Sequence, residues 1–312
     1  MQNDTLAEYD YIVVGAGTAG CLLANRLSQD PDVSVALLEA GGRDNYIWVH
    51  IPVGYLYCHG NPRVDWGFKT AAEDGLNGRS LNYPRGKVVG GCSSINGMIY
   101  MRGQARDYDL WRQYGNPGWA WDDVLPYFLR HEDQLALEPE AFDGLHERGG
   151  EWRVENARVK WDILEAWAEA AEQAGIPRIG DFNRGDNEGS SYFQVNQKTG
   201  VRWNTGKAFL KPALDRKNLS IVTHAMVERL LFDKARVSGI ELRRNGTAMR
   251  LGARREVILC AGAIGSPQIM QLSGIGPGQL LQDHGIAVRH DATGVGANLQ
   301  DHLQLRCAYK VK

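Results

Sequence analysis

The stretch Tyr11-Ile-Val-Val-Gly-Ala-Gly-Thr-Ala-Gly20 decides how the rest of the chain is read. Its first four residues are apolar and largely β-branched or aromatic, as in a buried strand. The glycines then fall at Gly15, Gly17 and Gly20, and small and apolar residues with helical spacing follow from Ala19 to Leu27. In a strand, tight turn and helix of this kind, the free N–H groups of the helix N-terminus face a phosphate. The first glycine permits the turn, the second lets the backbone approach a pyrophosphate, and the third lets the helix pack on the strand. Val33-Ser-Val-Ala-Leu-Leu38 supplies a second buried strand and closes a βαβ unit. Glu39 follows at the strand end, 19 residues after Gly20, where a carboxylate accepts ribose hydroxyls. Placed there, it lies outside the core.

The fingerprint serves NAD and FAD alike. An NAD-binding sheet continues with further βα units. This chain instead enters an irregular aromatic excursion over residues 43–84, with Tyr46, Trp48, Tyr55, Tyr57, Trp66 and Phe68, which reads as a functional lid. The interruption favours a flavoprotein, with an NAD-dependent dehydrogenase as the alternative. The next glycine-rich segment runs Pro84-Arg-Gly-Lys-Val-Val-Gly-Gly-Cys-Ser-Ser-Ile-Asn-Gly-Met-Ile-Tyr-Met-Arg-Gly103. Turn chemistry alone leaves two uses open: close approach to a phosphate or flat ring, or a plain tight turn before the apolar run Met98 to Met101.

That segment is similar to the first signature of the glucose-methanol-choline (GMC) oxidoreductases, and Gly265-Ser-Pro-Gln-Ile-Met-Gln-Leu-Ser-Gly-Ile-Gly276 is similar to the second. Glu39-Ala-Gly-Gly42, Asp65-Trp66 and Gly296-Ala-Asn-Leu-Gln-Asp-His302 also resemble elements of that family, in the family's order. The resemblance spans Tyr11 to about His302 and is strongest to the bacterial alcohol and choline dehydrogenase-like branch. It implies an α/β fold: a Rossmann-like FAD-binding domain of GMC/PHBH type with a β-meander, plus part of a substrate domain. Residues 1–155 and 213–312 would form the FAD-binding domain and 156–212 the partial substrate domain. The implied activity is oxidation of a small-molecule alcohol at its CH–OH group, by hydride transfer to flavin N5, with oxygen or a quinone as acceptor.

The resemblance also implies where FAD is held. Gly15, Ala16, Gly17, Thr18, Ala19, Gly20, Glu39 and Ala40 would hold its ADP half. Arg85, Val89, Gly90, Gly91 and Ser94 would run along the pyrophosphate and flavin, with Asn96, Gly97, Met98 and Ile99 beside the isoalloxazine. Val227 would present its backbone to the adenine, and Ala261, Gly262 and Ala263, at the end of the last strand, would close on the cofactor. Trp66 could line the flavin, and Asp301 and His302 would support the fold nearby. Some family members carry a linking His where this sequence has Ile95, so non-covalent FAD is expected. The family's catalytic His, in a His-Pro-x-Gly-Thr type stretch, has no counterpart here. The expectation is a fragment lacking the catalytic segment, or a non-catalytic FAD-binding module completed by another chain, with no catalytic residue before residue 312.

The remaining residues set limits. Helices are expected over Asp107 to Tyr114, over Asp122 to Arg130 with an Asp N-cap, and over Asp162 to Ala174 stopped by Gly175. Ile163, Ala166, Trp167 and Ala170 give the last an apolar face. Five strands should follow: Leu219 to Thr223, Val227 to Phe232, Val237 to Arg243, Thr247 to Leu251 and Glu256 to Cys260, with turns at Lys234 and Asn245-Gly246. A net charge of -2 provides no field for nucleic acid. Five scattered cysteines without Cys-x-x-Cys spacing fit reduced thiols, hence the cytoplasm. Neither a signal peptide at Met1 to Asp10 nor a membrane span is expected. His50, His59, His131 and His146 lack ligand spacing and read as solvated or singly hydrogen-bonded, so no metal is expected.

Overall fold

The computed structural model describes residues 7–302 and 304, 305, 307, 308 and 310. The leading segment read above for a targeting signal lies outside these up to residue 6. Six strands form the main sheet: β1 (Ala7–Val14), β2 (Val35–Leu38), β3 (Leu219–Val222), β4 (Ala225–Asp233), β5 (Arg236–Arg244) and β6 (Thr247–Leu259). Their order is β3-β2-β1-β6-β5-β4. The first four run parallel, and β6, β5 and β4 make an antiparallel meander. The longer helices are α1 (Thr18–Leu27), α2 (Ala105–Gln113), α3 (Trp121–His131), α4 (Asp162–Gln173) and α5 (Gly262–Leu272).

Alternation along β1 and β2 divides the core into two faces. Ile12, Val14, Ala36 and Leu38 join Leu230, Ile240, Leu242 and Leu251 from the meander and Ile269 from α5. Val13, Val35 and Leu37 point the other way, onto Cys21 and Ala24 of α1 and onto Ala208, Phe209 and Leu210. Both faces of the parallel strands are therefore covered, as parallel sheets require. This explains why their sequence is an apolar run rather than an alternation of apolar and polar residues.

Two of the five expected strands are one. Thr247–Leu259 is continuous, pairing antiparallel with β5 at its start and parallel with β1 at its end. No breaker separates the two parts, since the backbone stays extended through Gly252 and a shift of register near Tyr9 and Tyr11 absorbs the change of partner. The expected turns stand: Lys234, Asn245 and Gly246 all have positive φ.

The segment from Tyr100 to Val195 makes a second, smaller layer. Glu132–Gln134 pairs parallel with Trp152–Asn156, which pairs antiparallel with Gln194–Val195. Within the Met98 to Met101 run, Ile99 forms an antiparallel bridge with Val195 at the edge of this sheet, and the Tyr100 N–H donates to Gln194 O. The acid capping α3 is not Asp122 but Asp123, whose Oδ2 accepts the Ala120 N–H at 3.0 Å. The carboxylate reaches back from the third helical position instead of standing before the helix. Helix α4 forms as expected, with Gly175 in the left-handed region beyond it. Its buried residues are Ala168 and Ala171, however, and Ile163 and Trp167 are exposed because none of the described residues covers them. No helix among the described residues is long and apolar enough to cross a membrane.

Candidate functional site: a dinucleotide cleft at the strand ends

The turn between β1 and α1 is held by its neighbours. Gly15 donates to Leu38 O at 2.8 Å, and Gly90 donates to Ala16 O at 2.7 Å, which ties the glycine-rich loop to the fingerprint. Gly15 has φ +100°, and a Cβ there would stand 2.5 Å from Cys260 O; at Gly20 it would stand 1.8 Å from Gly15 O. Neither position accepts a side chain, so turn and helix packing require glycine at both. Helix α1 has neither a side-chain cap nor an acidic residue in its first turn, which leaves its N-terminal N–H groups free. The same holds at α5, where β6 runs through Cys260 and Ala261 into the helix.

Both helix N-termini open into one cavity of about 510 Å³. Its walls include the ends of β2 and β6, the start of β4, and Trp66, Phe68, Arg85 and Gly86 from the excursion. Ligands of open α/β sheets bind at such carboxyl ends of parallel strands. The excursion reaches the cavity as an irregular hairpin, pairing Asp65 with Gly86, Lys69 with Asn82 and Glu73 with Arg79. Asp65 is the organiser of its base: it is buried and accepts N–H groups from Gly60, Gly67 and Arg85 at 2.6, 3.1 and 3.0 Å. Trp66 and Phe68 stack with ring planes 5° apart and form an apolar flank.

Glu39 lines this cavity but is only 6% exposed. Its two oxygens accept the N–H groups of Ala16 at 3.0 Å and Gly41 at 2.8 Å. Burial pushes its carboxyl above the ordinary range, against the pull of those two donors and of Lys87. The expectation that Glu39 stands outside the core is therefore corrected: it braces the fingerprint turn while keeping lone pairs for a ligand.

Of the residues expected to hold a cofactor, Gly15, Gly17, Thr18, Ala19, Glu39, Ala40, Arg85, Gly91, Val227, Ala261 and Gly262 line the cavity. Ala16 and Gly20 sit behind the turn, and Val89 and Gly90 are buried beneath it. Ser94 is fully buried; its Oγ donates to Val89 O and accepts from Asn204, each at 2.8 Å. Asn96, Gly97, Met98 and Ile99 continue the loop beyond the cavity wall. Cys92 and Ala263, within stretches expected to meet the cofactor, also line the cavity, whereas sequence reasoning missed Phe68, Gly86, Met226 and the first turn of α5 after Ala263. For α5 a signal existed, because Glu256 to Ser266 repeats the strand, glycine, helix order of the fingerprint.

The histidines divide. His59 makes the single contact expected, its Nε2 at 2.9 Å from Ile95 O. His146 does not: it is buried between Glu132, 3.1 Å from Nδ1, and Asp181, 2.8 Å from Nε2. Arg102 completes the group at 2.8 Å from Glu132. Burial alone would make the imidazole less basic, but Asp181 and Glu132 outweigh it and hold its pKa above the ordinary value. This cluster belongs to the second layer, and none of its members lines the cavity.

A cleft with two free helix N-termini, a buried acid after the second strand and space cleared by glycine defines a dinucleotide-binding α/β protein. Comparison with known proteins narrows the class: the GMC oxidoreductase family model matches residues 9–304, and the chain belongs to that family. It is 42% identical over 305 residues to the oxygen-dependent choline dehydrogenase of Photobacterium profundum, covering 96% of this chain and 53% of that protein. It is 41% identical to the alcohol dehydrogenase [acceptor] of Pseudomonas putida, covering 96% and 54%. Among solved structures, pyridoxine 4-oxidase from Mesorbium loti superimposes with a TM-score of 0.85 at 35% identity, covering 91% of this chain and 55% of that one. An FAD-dependent oxidoreductase from Chaetomium thermophilum gives 0.84 at 31%, covering 91% and 50%. The chain spans about half the length of the curated relatives it matches.

Proposed function

We propose that the chain is the FAD-binding part of an oxidoreductase that oxidises the CH–OH group of a small-molecule alcohol. The observation that carries this is the convergence of both helix N-termini and Glu39 on one glycine-lined cleft. Bound FAD supplies the hydride acceptor, flavin N5. The chain's own residues bind and orient it. The Gly15 to Gly20 turn offers the pyrophosphate free N–H groups and the positive end of α1. Glu39 takes ribose hydroxyls on the lone pairs left by Ala16 and Gly41, and the Val227 backbone meets the adenine. Arg85 and Gly91 follow the pyrophosphate, Gly90 and Ser94 shape that loop from beneath, and Asn96, Gly97, Met98 and Ile99 stand at the ring. The alcohol is suggested by the names of the relatives, choline dehydrogenase and alcohol dehydrogenase.

In this reading residues 1–155 and 213–312 make the FAD-binding domain and 156–212 begin a substrate domain. On the same reading the base that takes the hydroxyl proton is supplied from outside the 312 residues, which hold no His-Pro-x-Gly-Thr stretch. FAD is held without a covalent bond: the Ile95 side chain is 2% exposed and packs with Val49, Cys58, Val64 and Val88.

The test is the spectrum of the purified chain after mixing with FAD, then gel filtration in denaturant. Flavin absorbance should travel with the native chain and leave the denatured one. Absorbance missing from the native chain would sink the FAD assignment, and absorbance kept after denaturation would sink the non-covalent one. Glu39→Gln keeps the side-chain volume but sets an amide NH2 against the Ala16 or the Gly41 N–H, and should weaken FAD binding by at least about 1.5–3 kcal/mol, the range for a hydrogen bond to a charged group. Unchanged affinity on titration would place the ribose elsewhere.

A further inference from the structure

Arg202 is 1% exposed and, among the described residues, has no carboxylate among its hydrogen-bond partners. Its Nη1 donates to Asn96 Oδ1 at 2.9 Å and to Ser93 O at 3.1 Å, both neutral. Among the described residues its Nε and Nη2 have no partner at all. Burial draws its pKa down to about 10, so the side chain is still charged at neutral pH. A buried cation with two unsatisfied nitrogens is costly, and such groups call for an explanation.

The explanation lies in what Arg202 grips. Asn96 Oδ1 accepts a second hydrogen bond, from the Met98 N–H at 3.0 Å, which fills both its lone pairs. Met98 is a non-glycine residue at φ +63°, a left-handed conformation that persists only when its surroundings hold it. The Arg202 guanidinium, the Asn96 amide and the Met98 N–H thus form one chain of contacts behind the loop. Gly97, between them, has nothing within 4 Å of where a Cβ would stand. Lys207 anchors the other end of this support, its Nζ donating to Arg202 O at 2.8 Å.

We propose that Arg202 is a positioning residue that sets the Asn96-Gly97-Met98 turn from behind, and that its charge bears on the flavin ring met by this turn. The second part rests on the FAD assignment above. A positive charge behind the ring favours the reduced cofactor, which gains negative charge, and so raises its midpoint potential.

Three variants separate the two parts. Arg202→Met removes donor and charge, Arg202→Gln keeps a donor without charge, and Arg202→Lys keeps charge without the planar fork. Hydrogen exchange at the Met98 amide, measured on the chain without FAD, should quicken at least tenfold in Arg202→Met and in Arg202→Lys. With FAD bound, the midpoint potential should fall by at least about 30 mV in Arg202→Gln and Arg202→Met, a tenfold change in relative affinity for the reduced form. It should hold in Arg202→Lys. If Arg202→Met does not fold, the other two decide both parts. Met98 exchange as slow in Arg202→Lys as in the parent overturns the positioning role. An unmoved potential in Arg202→Gln overturns the charge effect. A parent chain without flavin absorbance overturns the FAD assignment, while the exchange measurement still decides the turn.

Discussion

The six-stranded sheet and the smaller layer beside it each have a buried centre, but the two centres are held by opposite chemistry. Around Ile12, Leu38 and Ile240 the sheet excludes water with aliphatic side chains from neighbouring strands. Around His146 the second layer buries Arg102, Glu132 and Asp181, with Gln134 bridging to Gln194 at 3.1 Å and Gln194 to Asp181 at 3.2 Å. An apolar contact is tolerant of what it touches. A buried charge is not, because losing its partner leaves an uncompensated ion in a medium of low polarity. The difference is one of specificity: the sheet can be repacked, whereas the cluster admits one arrangement.

The sharpest way to break that contrast is Glu132→Ala. It leaves Arg102 and His146 facing one another in the interior, and removing one partner of a buried pair costs roughly 3–5 kcal/mol. Urea denaturation should show a loss of that size; a loss below about 1 kcal/mol, the scale of surface ion pairs, would mean that water reaches the cluster. Ile240→Ala, in the sheet, should cost about 2–5 kcal/mol through lost burial and a cavity. Restoring part of the volume with Ile240→Val should recover most of it, and failure to do so would deny the sheet its tolerance.

The pH dependence of stability should also differ. Although burial works against each charged form, the partners raise the His146 pKa and lower those of Glu132 and Asp181. The imidazolium's contribution is therefore complete below its unfolded value of about 6.5 and fades as pH rises through the raised folded value. That of the carboxylates is complete above their unfolded values near 4 and fades as pH falls through the lowered ones. The cluster is strongest between about pH 4.5 and 6.5. His146→Gln should remove the alkaline arm of the stability profile, and an arm unchanged in that variant would assign it elsewhere. The smallest effect belongs to the meander: Gly246→Ala, at φ +82°, should cost roughly 1–2 kcal/mol by thermal denaturation, with FAD affinity unchanged.

The same contrast explains what could be read in advance. The βαβ unit, the cleft at its strand ends and the Asn245-Gly246 hairpin were legible because each is written in neighbouring residues: apolar runs, glycine spacing, turn chemistry. Even there the strand from Thr247 to Leu259 was divided, since Gly252 to Arg255 resembles a break until β1 is seen beside it. The cluster was illegible because Arg102, Glu132, His146 and Asp181 are far apart in sequence, and no periodicity links them. Glu39 was found by position but misjudged in burial, because its brace on Ala16 and Gly41 depends on how the turn folds back. Arg202 carried no local signal, being one arginine in the two-residue strand Val201–Arg202.

The pairing of β1 with β6 has a consequence for how the chain is made. Val14 finds its partner in Leu259, so this strand of the sheet stays open on one side until residue 259 has been synthesised. At about 5–20 residues per second, Ile12, Val13 and Val14 wait roughly 10–50 s on the ribosome with an unpaired apolar edge. For that interval β2 and α1 are the only native cover close in sequence, and the nascent chain is an open template for aggregation. Its yield in a cell is therefore set by whatever shields the first strand while the last is still being translated.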